Sequence, residues 1–135
     1  SFHGMRSILE EFGTAPGFRL VLFTVDEAAW SREVVPLAGF YPSVFAGAPW
    51  WFLDTPDAMR RFRSVLTEGA GFGKYSGFID DARSLPSIAT RHDVARRVDA
   101  GFLARLVGER RIGLDQAIEV ARDTVGPLPK RVFGL

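Results

Sequence analysis

The 135-residue chain contains no cysteine, which removes disulfides, thiolate nucleophiles and Cys-ligated zinc together and fits a cytoplasmic location. Seventeen Lys and Arg stand against sixteen Asp and Glu, a net charge of +1. That balance lacks the concentrated positive field that phosphate backbones require, so nucleic acid is excluded as a partner. Uninterrupted apolar stretches are short, residues 20–23 being typical, and neither a membrane span nor a signal peptide is expected. No P-loop or dinucleotide-binding glycine spacing, His-x-His, His-Glu-x-x-His or Gly-x-Ser-x-Gly elbow occurs. The glycine-rich run Gly69-Ala-Gly71-Phe-Gly73 follows a helix and precedes a strand, the wrong order for cradling phosphate.

What the chain has is apolar mass: hydrophobic residues make up 47%, with 12 Phe, 3 Trp and 2 Tyr. This is ample for a packed core and incompatible with extended disorder, and the length admits one domain or a piece of one. Helical and extended periods alternate, which predicts an α/β fold with parallel strands. Phe2, Met5, Ile8, Leu9 and Phe12 recur at helical spacing, ended by Gly13 and Pro16. Residues 19–26 read as a strand whose apolar core is continuous, as expected of one covered on both faces. A helix is expected over 27–37, broken near Pro36 and Gly39, and a strand over 42–49. Asp54-Thr55-Pro56-Asp57 signals a helix start, with the helix running to about residue 68. Residues 74–79 read as a third strand. Thr90-Arg91-His92-Asp93 fits a capping box opening another helix, whose buried stripe is Val94, Val98, Phe102 and Leu106, and a last helix spans 115–125. The sum is about three parallel strand-helix units plus a C-terminal helix. Three strands leave open edges, so the chain reads as a slice of a larger sheet that would self-associate in isolation.

Three constellations could carry chemistry. Ala48-Pro49-Trp50-Trp51-Phe52 lies at the expected carboxyl end of a strand, where α/β folds place ligand sites. Paired tryptophans serve core packing as readily as recognition, but neighbours on an extended segment face opposite ways, which leaves one free to line a sugar pocket. Asp80-Asp81-Ala82-Arg83 closes the third strand with two acids and a guanidinium, suited to a divalent cation, a proton relay or a substrate carboxylate, and equally to a loop cap. Arg91 and His92 stand together at the expected helix start, although a lone His beside an Asp is more commonly structural. Arg60, Arg61 and Arg63, and Arg96, Arg97, Arg105, Arg110 and Arg111, read as solvated faces or ion-pair partners.

In order and spacing, Gly39-Phe-Tyr41-Pro42, Pro49-Trp50-Trp51-Phe52 with Asp54, Gly77-Phe-Ile-Asp80-Asp81-Ala-Arg83, and Arg91-His92-Asp93 with Arg96-Arg97 resemble the C-terminal part of the uronate isomerases, members of the amidohydrolase superfamily. The likeness runs over nearly the whole chain. It implies a partial (β/α)8 TIM-type barrel in which residues 1–135 carry roughly the last three strands. It also implies an aldose-ketose isomerase that interconverts hexuronates and ketouronates, such as D-glucuronate and D-fructuronate, with the active site completed by strands outside this chain. By the same resemblance Asp81 is the acid at the end of the last strand, placed at the metal and in proton transfer. Arg83 would hold the substrate or its carboxylate, Trp50 and Trp51 would line the sugar pocket, and a divalent ion, zinc, is implied with its other ligands elsewhere. Phe40 and Asp80 depart from the family pattern, in which His and Thr occur at those places.

Two other functions suit the same residues. A metal-dependent hydrolase on the same barrel would use Asp81 to activate water, and a non-catalytic α/β interaction module would use the aromatic cluster as interface core and the Asp-Arg pair as a loop cap.

Overall fold

The structure, a computed structural model, describes residues 2–82 and 84–135, with the side chain of Trp51 excluded. After a 3-10 turn, His3–Met5, helix α1 covers Arg6–Phe12, and β1 (Leu20–Leu22) leads through a π turn, Trp30–Val34, into α2 (Val35–Phe40). Strand β2 (Val44–Ala46), a 3-10 turn (Trp51–Leu53) and α3 (Pro56–Gly69) follow, then α4 (Leu85–Gly108), α5 (Leu114–Thr124) and α6 (Pro127–Phe133). None of the described helices is long and apolar enough to cross a membrane.

The architecture is α/β with parallel strands. β1 and β2 pair in the register Leu20↔Val44, Val21↔Phe45, Leu22↔Ala46. The expected third strand is reduced to one parallel bridge, Ala46↔Tyr75, closed by the Ser76 amide donating to the Ala46 carbonyl at 2.9 Å. Its shortness has a local cause at each end. Gly77 adopts φ +81, which takes the backbone out of extended geometry two residues past the bridge. On the other side a 3-10 turn, Phe72–Lys74, precedes Tyr75, and the Lys74 ammonium bonds the carbonyls of Tyr41, Pro42 and Val44 at 2.9–3.0 Å in place of a backbone ladder.

Helix starts also depart from expectation. The helix expected at Thr90 begins at Leu85: Ser84 is extended, Pro86 occupies the first turn where a missing N–H costs nothing, and the Ser87 hydroxyl donates to the Ser84 carbonyl. Thr90 therefore sits within the helix. Asp93 pairs with Arg97 one turn on at 2.7 Å instead of capping. Residues 27–37 do not end at Pro36. The turn before it widens, the Val35 amide reaching back to the Trp30 carbonyl, and Pro36 falls at the start of α2. Beyond Gly126 the chain forms α6, a second C-terminal helix, where one was expected.

The main core joins both strands, α2, α3 and α6 through Leu22, Val44, Trp30, Phe62, Leu66 and Val132. Trp30, Phe62 and Tyr75 stack edge-to-face, with centroids 5.2 and 5.8 Å apart. Through this core runs a charge. Arg63, grouped by sequence with its exposed neighbours Arg60 and Arg61, is 1% exposed. Its Nε lies 2.9 Å from Asp99 of α4, and its guanidinium rests 4.3 Å above the Tyr75 ring and 5.6 Å from that of Phe102. The ring faces take the place of hydrogen-bond acceptors for Nη1 and Nη2, which have no such partner among the described residues. Burial pushes the Asp99 carboxyl above its ordinary value, and Arg63 opposes that rise.

Two outcomes follow. Arg63→Met strands a buried carboxylate and should destabilise the protein by about 3–5 kcal/mol, while Arg63→Met combined with Asp99→Leu should recover most of the loss. Because the native carboxyl already holds its proton more tightly than the unfolded chain does, Asp99 lowers stability as pH rises from the unfolded value through the raised native one. Without Arg63 the native value rises further, so that decline should deepen and extend to higher pH, as urea denaturation at a series of pH values would measure. Separately, a Cβ at Gly77 would lie 2.7 Å from Pro129 Cγ and 3.3 Å from the Thr124 carbonyl, at positive φ. Gly77→Ala should therefore cost about 1–3 kcal/mol, read as a shift in the denaturation midpoint.

Candidate active site

Parallel pairing brings three segments out at one end of the sheet: Phe23 to Val25 after β1, Gly47 to Asp54 after β2, and Ser76 to Asp81 after the Tyr75 bridge. Two hollows lie there. One, of about 420 Å³, is lined by Phe23, Thr24, Val25 and Trp50. The other, of about 690 Å³, is lined by Phe52, Asp54, Thr55, Asp81, Ala82, Ser84, Ser87 and Arg91.

The first hollow is apolar. Trp50 is half-buried and meets Phe23 edge-on, with centroids 5.2 Å apart. Phe23 is placed by the absence of a side chain at Gly47, where a Cβ would stand 2.4 Å from the Phe23 ring. An indole held in this way presents flat apolar surface suited to the C–H face of a sugar.

The second hollow is acidic. Asp81 is exposed to it. Asp80, its neighbour, is turned inward, its side chain 2% exposed. Asp80 Oδ1 accepts from Arg91 Nε at 2.6 Å, and Arg91 Nη2 donates to Asp54 Oδ2 at 2.5 Å. The guanidinium thus divides its fork between two carboxylates from different loops, and these bonds hold its proton more firmly than usual. Asp80 Oδ2 is buried without a hydrogen-bond partner among the described residues. His92 packs edge-on against Phe78, with centroids 5.0 Å apart at 89°, which makes it part of the packing beneath the strand end.

Of the residues singled out from sequence, Asp81 and Trp50 emerge at the same end of the sheet but in separate hollows. The turn Trp51–Leu53 joins these in sequence, with Trp50 before it and Asp54 after it. Arg83 and the side chain of Trp51 lie outside the described residues. Asp54 and Arg91 were not expected together: 37 residues separate them, and no local pattern announces a contact of that kind. Among the described residues, no group of three or more His, Cys, Asp or Glu is placed to hold a metal ion.

The sequence profile of the glucuronate isomerases matches residues 3–125. A uronate isomerase of Corynebacterium efficiens is 53% identical over 132 residues, which cover 98% of this chain and 28% of that protein. Among solved structures, the glucuronate isomerase of Caulobacter crescentus superposes with a TM-score of 0.93 at 48% identity, covering 96% of this chain and 27% of that one. The uronate isomerase of Thermotoga maritima superposes with a TM-score of 0.90 at 28% identity, again over 96% of this chain and 28% of that one. The chain therefore spans little more than a quarter of the length of these relatives, and with a family profile matched over most of its residues, it belongs to the glucuronate isomerase family.

Proposed function

We propose that this chain is the C-terminal segment of a uronate isomerase, the last part of a (β/α)8 barrel working in the cytoplasm, and that it supplies one wall of the active site. The supporting observation is the emergence of Trp50 and Asp81 at one end of a parallel sheet in a chain of this family. The reaction interconverts an aldehyde-bearing hexuronate and its ketouronate, as between D-glucuronate and D-fructuronate. A proton leaves C2 and is returned to C1 through an enediol, while a second proton passes from the C2 oxygen to the C1 oxygen, so that no external oxidant or reductant is needed.

Asp81 is the group in this chain suited to move the carbon-bound proton: a carboxylate open to the cleft, on backbone fixed by its buried neighbour. Trp50 carries the apolar face of the sugar, with Trp51 beside it in sequence. Arg83, two residues past Asp81, holds the substrate carboxylate. Arg91 is a poor choice for that task, because its donors already face Asp54 and Asp80.

The family also implies a divalent metal, with zinc the expected ion. The acid surplus of the cleft, with Asp54 and Asp81 at its surface and Asp80 behind Arg91, offers the hard oxygen donors that a divalent cation accepts. Asp81 would hold it as one ligand, the others coming from outside this chain. When bound, such an ion polarises a carbonyl or hydroxyl oxygen of the substrate.

In the full-length protein supplied with D-glucuronate, Asp81→Asn should lower kcat by about 10²–10⁴-fold with little change in KM. Trp50→Ala should act mainly on KM. Undiminished ketouronate formation by Asp81→Asn, or turnover of a lactone or amide panel in place of the uronate, would overturn the assignment.

A further inference from the structure

Arg91 links the two strand ends that the proposed chemistry requires. It lies in the second turn of α4, a 24-residue helix tied to α3 by the buried Arg63–Asp99 pair two turns further on. One donor holds Asp80, the residue before Asp81, and another holds Asp54, the residue after the turn that follows Trp50. We infer that Arg91 is a positioning residue for the isomerisation: through Asp80 and Asp54 it fixes the acid-bearing strand end relative to the tryptophan-bearing loop. This rests on the reading of Asp81 as the proton-transfer group.

Three features support it. Asp80 is enclosed while Asp81, the next residue, is exposed in the cleft, so seating the Asp80 carboxylate against Arg91 fixes the backbone that presents Asp81. The two anchors come from segments that share no ladder beyond the single Ala46↔Tyr75 bridge, so little else in the backbone fixes their separation. The contacts leave from different nitrogens of one planar group, Nε and Nη2. The compact ammonium of lysine has no such fork. The Arg91 side chain is 37% exposed and its pairs are part of the cleft wall, unlike the fully enclosed Arg63. Loss of Arg91 also leaves the enclosed Asp80 carboxylate unpaired, so Arg91→Lys, which keeps a cation there without the fork, separates geometry from folding. Its Nε and Nη2 face protein carboxylates, and through these contacts it acts on the segments that carry Asp81 and Trp50.

The test uses the full-length enzyme with D-glucuronate, reading kcat, KM and Tm for Arg91→Met, Arg91→Lys, Asp54→Asn and Asp81→Asn. Arg91→Met and Arg91→Lys should each lower kcat by about 10–100-fold, the scale of a 1 Å misplacement of a reacting group. KM should stay within about 3-fold, so that the loss falls on the transition state. Lysine should fail to rescue although it keeps the charge. Asp54→Asn should lower kcat less, and added to Arg91→Met it should do no further harm, since Arg91→Met already removes the contact to Asp54. Tm should fall in Arg91→Met, which leaves the enclosed Asp80 carboxylate unpaired, and by less in Arg91→Lys, which keeps a cation beside it.

A kcat preserved in Arg91→Met while Asp81→Asn is inactive would overturn the inference and leave the assignment of Asp81 standing. A rise in KM at constant kcat would overturn it in favour of direct substrate binding by Arg91. Full activity of Asp81→Asn would sink the underlying reading and the inference with it. Should Arg91→Met fail to fold, Arg91→Lys and Asp54→Asn decide the matter by the same kcat and KM criteria.

Discussion

The acids and the tryptophan of the candidate site stand on segments that leave the sheet at one end, and the parallel pairing brings those segments together. Leu22 opposite Ala46, and Ala46 opposite Tyr75, bring three chain segments out side by side. A slip of one residue in either pairing would reverse the side chains of the slipped strand between core and surface. The short strands alone are a weak guarantee of that register. Apolar residues behind the sheet add to it: Leu22, Val44 and Ala46 are all buried against helices that fit only one alignment.

Charge completes what apolar packing leaves loose. Lys74 gathers three carbonyls at the lower end of β2, where a ladder would otherwise continue. Arg63 and Asp99 lock α3 to α4 beneath Tyr75, so the third strand is held by a side chain under its ring more than by its own hydrogen bonds. Arg91 and its two carboxylates do the corresponding work at the upper end. Arg63 is enclosed and Arg91 half-open: the buried pair ties two helices together, and the cleft pair ties two loop segments to α4.

Much of this was legible in the sequence. The continuous apolar run before Asp26 and the Thr55-Pro56 start of α3 carry local signals, and both elements lie where those signals put them. The family resemblance rested on four short motifs in order, and the comparisons support it. Less legible were features set by distant residues or by a single dihedral. Leu85-Pro86 reads as loop until Pro is seen as the first turn of a helix. The third strand looks complete because nothing local reveals the positive φ of Gly77. Arg63 sits in a run of arginines that differ only in which side of α3 they occupy, and Arg91 meets Asp54 across 37 residues. The separation of Trp50 from the Asp81 cleft was likewise invisible, since sequence places both at strand ends without saying how those ends divide the space.

The account turns on whether the Asp81 cleft and the Trp50 hollow hold one substrate between them. A crystal structure of the full-length protein with a non-isomerising hexuronate analogue bound would decide this most directly. The account predicts an Asp81 carboxylate oxygen about 3 Å from the C1–C2 edge of the ligand, with Trp50 against its ring. A ligand bound at the opposite end of the sheet, or seated away from Asp81, would contradict it.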